Sequence, residues 1–204
     1  MGLDMYIDRK VRGYRKDDGT LSPNIDECKF DEFGCPNAEY IESTVAYWRK
    51  ANAIHRWFVN AVQDGEDDCR DAEIGIDTIK ELRGLCHGIL AKMKGQVLRV
   101  PDSSMDDFGK CYEAEDGFVR EIVIDPDNIA PLDNATEFHE AADTGVCEDT
   151  LPTESGFFFG STAYNGIYFR QIAETIKMLD RIIAQDGEDR KNGFCPDYTY
   201  HASW

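Results

Sequence analysis

The chain has 204 residues, 42% hydrophobic and 11% aromatic, enough for one domain with a real core and inconsistent with a disordered polypeptide. Its 40 Asp and Glu against 22 Lys and Arg give a formal net charge of −18, which disfavours nonspecific binding to nucleic acid or to an anionic membrane and leaves a basic protein partner allowed. No apolar run approaches the ~20 residues that cross a bilayer.

Taken in chain order, Leu3, Met5 and Ile7 alternate with Asp4, Tyr6 and Asp8 and predict a half-buried strand. Val11 to Cys35, with Gly13, Gly19, Pro23 and Gly34 among charges, predicts a long loop or short hairpin. A helix is predicted from Glu42 or Ser43 to just before Asp64-Gly65, with Tyr47, Ala51, Ile54, Phe58, Ala61 and Val62 as its core face. On that wheel Trp48, Asn52 and His55 share one flank and Lys50 lies on the other. Arg49, Arg56 and Asn60 take the solvent side.

Glu73 to Ile76 reads as a short extended piece, followed by a purely structural helix capped by Asp77, with Ile79, Leu82, Cys86, Ile89, Leu90 and Met93 facing the core. Residues from about Lys94 to Leu132 read as an insertion carrying a β-hairpin, Val97 to Val100 with Phe118 to Ile124. A short helix containing His139 is predicted over Asn134 to Asp143. Gly156 and Gly160 bracket three phenylalanines read as a short buried strand, after which Ser161-Thr162 opens a helix to about Gln185. Phe169, Ile172, Ile176, Leu179 and Ile183 form its core face, with Tyr164, Tyr168, Gln171 and Thr175 on a neighbouring stripe. Phe194 to Trp204 predicts a last strand whose terminal Trp packs. The fold class is α+β: a small, mostly antiparallel sheet packed by two to three helices in a single domain with the hairpin insertion.

Seven cysteines, odd in number and never spaced C-x-x-C, indicate free thiols. Cys28 and Cys35 with His139 and Cys147 match no recurring zinc spacing, so neither a metal nor another cofactor is expected. The N-terminus lacks the regions of a signal peptide, and Tyr6 breaks the myristoylation pattern, so a cytosolic location is expected.

A wide apolar stripe rarely carries a His and a Lys, because burying either unpaired costs several kcal/mol, so partners or a ligand must satisfy them. The glycine, hydroxyl pair and helix start at Gly160-Ser-Thr162 could present free N–H groups to an anion, although an ordinary N-cap explains the same residues. No nucleophile elbow, P-loop, HExxH or paired zinc-ligand motif occurs, so no catalytic residue is nominated. A nucleotide or phosphate-ester hydrolase using His55 with a carboxylate, its site completed by Asp4 and Tyr6 if the first strand lies against the first helix, ranks below a binding protein.

The pieces Met1-Gly-Leu-Asp-Met-Tyr6, Tyr47-Trp-Arg-Lys-Ala-Asn52 with Ile54-His55 and Trp57-Phe58, Gly156-Phe-Phe-Phe-Gly-Ser-Thr162 with Tyr164 and Tyr168, and the Ser203-Trp204 ending resemble a family of small proteins carried by phages and prophages. The resemblance covers both ends and the two main helices, leaves out about Lys94 to Leu132, and brings no activity with it. Phage context, by analogy, suggests a sponge that sequesters a nucleotide signal of bacterial defence, a cyclic nucleotide or ADP-ribose derivative, in the host cytosol. In that reading Trp48, Tyr164 or Tyr168 stacks on a base and Asn52 and Gln171 read its edge. Arg49, Lys50, His55, Ser161 and Thr162 meet phosphate or ribose. The rival is an acidic DNA mimic, or another inhibitor that binds a host defence protein, against which the carboxylates sit in Gly-containing loops rather than a helical ladder. The composition leaves homo-oligomerisation open. The sponge reading expects the helix from Thr162 to pack beside Trp48 and His55 around one pocket.

Overall fold

The computed structural model describes residues 2–27, 30–101 and 119–204. Cys28, the Phe118 end of the expected hairpin strand, and the acidic segments 102–107 and 113–116 lie outside the described residues. The centre of the sheet is β1 (Asp4–Arg15), which pairs antiparallel along one edge with β3 (Ala38–Arg49). Its other edge carries β7 (Asp197–Ser203) and then the short β2 (Leu21–Ser22), and β7 in turn pairs with β4 (Ala72–Ile74). A separate antiparallel pair, β5 (Val97–Arg99) with β6 (Glu121–Val123), forms the hairpin that the alternation predicts.

Alternation along the strands sorts the residues onto two faces. Leu3, Met5, Ile7, Ala46, Trp48, Tyr198, Tyr200 and Ala202 are buried, while Tyr47 is exposed on the far side beside Tyr6. There Tyr6 stacks on His201, and Asp8 bonds both His201 and Thr44. The helices α1 (Asn52–Val62), α2 (Ile76–Lys92), α3 (Gly145–Thr150) and α4 (Gly166–Lys191) supply Ile54, Phe58, Ile79, Leu82, Ile89, Cys147, Phe169, Ile172 and Ile176 to one continuous core. The fold is α+β, and among the described residues no helix is long and apolar enough to cross a membrane.

Several local expectations are corrected. Residues from Glu42 to Arg49 form strand, not helix, because Thr44, Val45, Tyr47 and Trp48 suit a pleated surface and β1 supplies a partner, with Trp48 opposite Met5 and Arg49 opposite Asp4. The helix begins only at Asn52, so the wheel that placed Trp48 above His55 does not exist. From Val11 the short hairpin, not the long loop, is what forms: β1 continues to Arg15 because β3 runs alongside it, and the chain turns back to pair Leu21 and Ser22 with Arg15 and Tyr14. Gly156 to Gly160 is a tight turn, closed by Phe159 N–H donating to the Gly156 carbonyl at 3.2 Å, and leaves Phe157 94% exposed.

The last helix starts at Gly166, not Thr162, because Asn165 caps it by accepting from Ile167 N–H at 3.0 Å. It continues past Gln185 to Lys191. Gly75, not Asp77, occupies the cap of α2. The segment around His139 is not helical; a 3-10 turn over Ala130–Asn134 precedes it. His139 is buried, with Nδ1 accepting from Thr136 N–H and Nε2–H donating to the Val119 carbonyl.

Candidate functional site

Where β3 turns into α1, the chain passes through Lys50 at φ 57°, a left-handed conformation that costs a lysine about 1–2 kcal/mol. The residue is gripped from three sides. Its N–H donates to the Leu3 carbonyl at 2.7 Å, its carbonyl accepts from Gln171 Nε2 at 3.2 Å, and a Cβ on Gly160 (φ +87°) would approach its own Cβ to 3.1 Å. The fixed turn brings the Lys50 side chain alongside that of Arg49. Both cross Gly2, where a Cβ would lie 3.3 Å from Lys50 Cε and 3.7 Å from Arg49 Nε.

Neither cation has a carboxylate in ion-pairing reach among the described residues. Asp4, opposite Arg49 on β1, is taken by the Tyr47 hydroxyl. The pair opens on a cavity of about 340 Å³ walled by Thr153, Ser161, Asn165, Arg170 and Gln171, and a second of about 270 Å³ shares Arg49, Arg170 and Gln171 with it. Arg170 stands 3.8 Å from Glu174, whose carboxyl burial pushes up from its usual range. Two adjacent cations without a counter-charge repel each other, and an anion between them relieves that repulsion.

Asn52 does not read a ligand. It is buried, and its amide is spent on the loop that forms the cavity wall: Nδ2 donates to the Phe159 carbonyl at 3.0 Å and the Ser161 carbonyl at 2.8 Å, and Oδ1 accepts from Glu154 N–H at 3.3 Å. Trp48 is also internal, with Nε1 donating to Thr175 Oγ1 at 2.8 Å and its ring edge-on to Phe58, so it offers no stacking face. Tyr168 is buried with its hydroxyl donating to the Leu151 carbonyl, and Tyr164 accepts from Thr153 N–H. Ser161 lies on the cavity rim with Oγ accepting from Ala163 N–H; Thr162 is exposed, and its carbonyl accepts from Thr153 Oγ1. Neither hydroxyl sits at a helix start.

His55 belongs to a different cleft. Burial pushes the Tyr200 phenol up, and its hydroxyl shares a 2.7 Å hydrogen bond with His55 Nδ1. His55 Nε2–H then donates to Asp67 at 3.0 Å. With both nitrogens engaged and the ring 1% exposed, His55 has no nitrogen free for a substrate. The single-pocket expectation is therefore corrected: Arg49, Lys50, Asn52, Ser161, Tyr168 and Gln171 meet at one cavity, Trp48 packs on the last helix and lines the adjoining 270 Å³ cavity, and His55 faces a separate cleft. Asp4 and Tyr6 stand on the outer sheet face, away from His55.

Sequence reasoning missed Arg170, which reads as an ordinary solvent cation on its helix, and Asp67 and Tyr200, which no spacing ties to His55. Among the described residues no three His, Cys, Asp or Glu are grouped to hold a metal ion. Comparison with protein-family models, curated proteins and solved structures finds no match.

The left-handed turn yields a direct expectation. Lys50→Ala should lower stability by about 1 kcal/mol or less, since alanine bears the same backbone strain and loses the stem contacts on Gly160. Lys50→Gly should match or exceed the parent in thermal unfolding, because glycine adopts φ > 0 freely. A Gly variant less stable than the Ala variant would mean that the lysine stem, not the backbone, governs this position.

Proposed function

We propose that the protein binds a small anionic, nucleotide-derived ligand at Arg49 and Lys50 and sequesters it without converting it. One observation carries the reading: in a chain of net charge −18, two adjacent exposed cations have no carboxylate partner among the described residues and are fixed at the mouth of a cavity. Ser161, Asn165, Thr153 and Gln171 line that cavity beside the two cations. A volume of about 340 Å³ is at the small end of ligand sites, the scale of one nucleotide unit rather than a chain.

Sequestration is favoured over hydrolysis because the histidine best suited to proton transfer has both nitrogens occupied and faces another cleft. Capture of a nucleotide signal in phage counter-defence is the biological role this suits. The test is a thermal-unfolding screen against mononucleotides, cyclic dinucleotides and trinucleotides, and ADP-ribose derivatives, with the ligand recovered for mass analysis. Ligand at a hundredfold excess over its Kd should add about 2.7 kcal/mol of stability to the parent and little to Arg49→Ala. Recovery of unaltered ligand supports sequestration. Converted ligand, or no response to any phosphate-bearing compound, overturns it.

A further inference from the structure

A cavity of about 560 Å³ lies on the His55 side of the loop that Asn52 fastens. Its walls are aromatic: Phe157, Phe158 and Phe159 from the turn, and Trp204. The rings form a corner and not a stack, Phe159 meeting Trp204 at 6.2 Å and 66° and His55 at 5.2 Å and 87°. Phe157 is 94% exposed although its turn is tied down by Asn52 and by Leu3 N–H donating to the Phe158 carbonyl. A large apolar ring held rigidly in water beside an aromatic hollow marks a docking element.

Charge selects what docks. Asp67, at the floor, accepts from Trp204 Nε1 at 3.1 Å and from His55 Nε2–H at 3.0 Å, and among the described residues no Lys or Arg pairs with it. At the rim Glu154 pairs with Arg56. Along the adjoining loop Asp64, Glu66 and Asp68 all share the single Arg70, each at 3.8 Å. Aromatic faces above a carboxylate that no Lys or Arg pairs with suit an organic cation, because ring faces attract positive charge and the carboxylate accepts its N–H groups.

We infer that this cleft binds the arginine side chain of a basic polypeptide segment, the guanidinium lying against Phe157 and Trp204 above Asp67. A polypeptide, and not a free small cation, is indicated because the negative charge continues from the cleft along Asp64 to Asp68, beyond the reach of one head group. This site is separate from the Arg49–Lys50 cavity and opposite to it in charge, so it stands whether or not that cavity takes a nucleotide.

The experiment titrates the full chain with a short acetylated, amidated peptide alternating Arg and Gly, reading heat and the emission of the exposed Trp204, beside a version with Gln for Arg and beside agmatine. The Arg peptide should bind, weaken as salt rises, and lose about fivefold or more in affinity with Phe157→Ala. That exposed position leaves folding intact, which an unchanged melting curve would verify. Lys50→Gly should leave peptide binding unchanged. Equal binding of the Gln peptide, or an unaffected Phe157→Ala, overturns the site. Agmatine binding as tightly as the peptide overturns the polypeptide assignment in favour of a small organic cation.

Discussion

Asn52→Ala is expected to lower stability by about 3 kcal/mol, one for each of the three hydrogen bonds its buried amide makes to the Glu154–Ser161 loop. In a domain of this size that moves Tm by about 10 °C, readable by calorimetry. Both cavities should suffer together, since this loop walls each of them. Asn52→Asp distinguishes a lost bond from lost shape. The carboxylate keeps an acceptor for Glu154 N–H but faces the Phe159 and Ser161 carbonyls, which disfavour its charged form and raise its folded pKa. A raised folded pKa means the variant is most stable below the unfolded value and loses stability as pH rises through the folded one. Asn52→Asp should therefore approach the parent in acid and fall below Asn52→Ala at neutral pH. A pH-independent difference between the two variants would show that the loop has moved away and solvated the carboxylate.

Gly166→Ala should be of similar severity for a different reason. A Cβ there would lie 2.3 Å from the Thr136 carbonyl oxygen and 2.9 Å from His139 Cβ, neither of which can step aside without breaking the Gly166 N–H bond to the His139 carbonyl. Overpacking of this kind costs about 3 kcal/mol, measurable by chemical denaturation. Gly187 on the same helix has open space where its Cβ would go. There alanine should stabilise by about 0.5–1 kcal/mol, the ordinary helix preference. If both substitutions moved stability in the same direction, the close approach of α4 to the 136–139 segment would be wrong.

What could be read from the chain depended on whether one local period sufficed. β1 and β7 alternate cleanly, and α2 repeats its apolar residues at helical spacing, so they were legible. The stretch from Tyr47 to Phe58 satisfies both periods: Ala46 and Trp48 alternate with Tyr47, while Ala51, Ile54 and Phe58 continue a helical arc. Only pairing with β1, some forty positions away, decides where strand yields to helix, and no local pattern contains that. The same limit governed the candidate residues. Arg49, Lys50 and Gln171 could be nominated by type, but Asn52 holding a loop about a hundred positions downstream looks identical in sequence to an asparagine reading a base.

The left-handed backbone at Lys50 bears on the chain's history as well as its folding. A lineage selected for stability alone would drift toward glycine or asparagine at that position, since each tolerates the turn at lower cost. If the proposed anion site holds, the charge of this lysine is what offsets that backbone cost. Descendants that abandon the Arg49–Lys50 cavity should lose this lysine early, before the sheet beneath it changes.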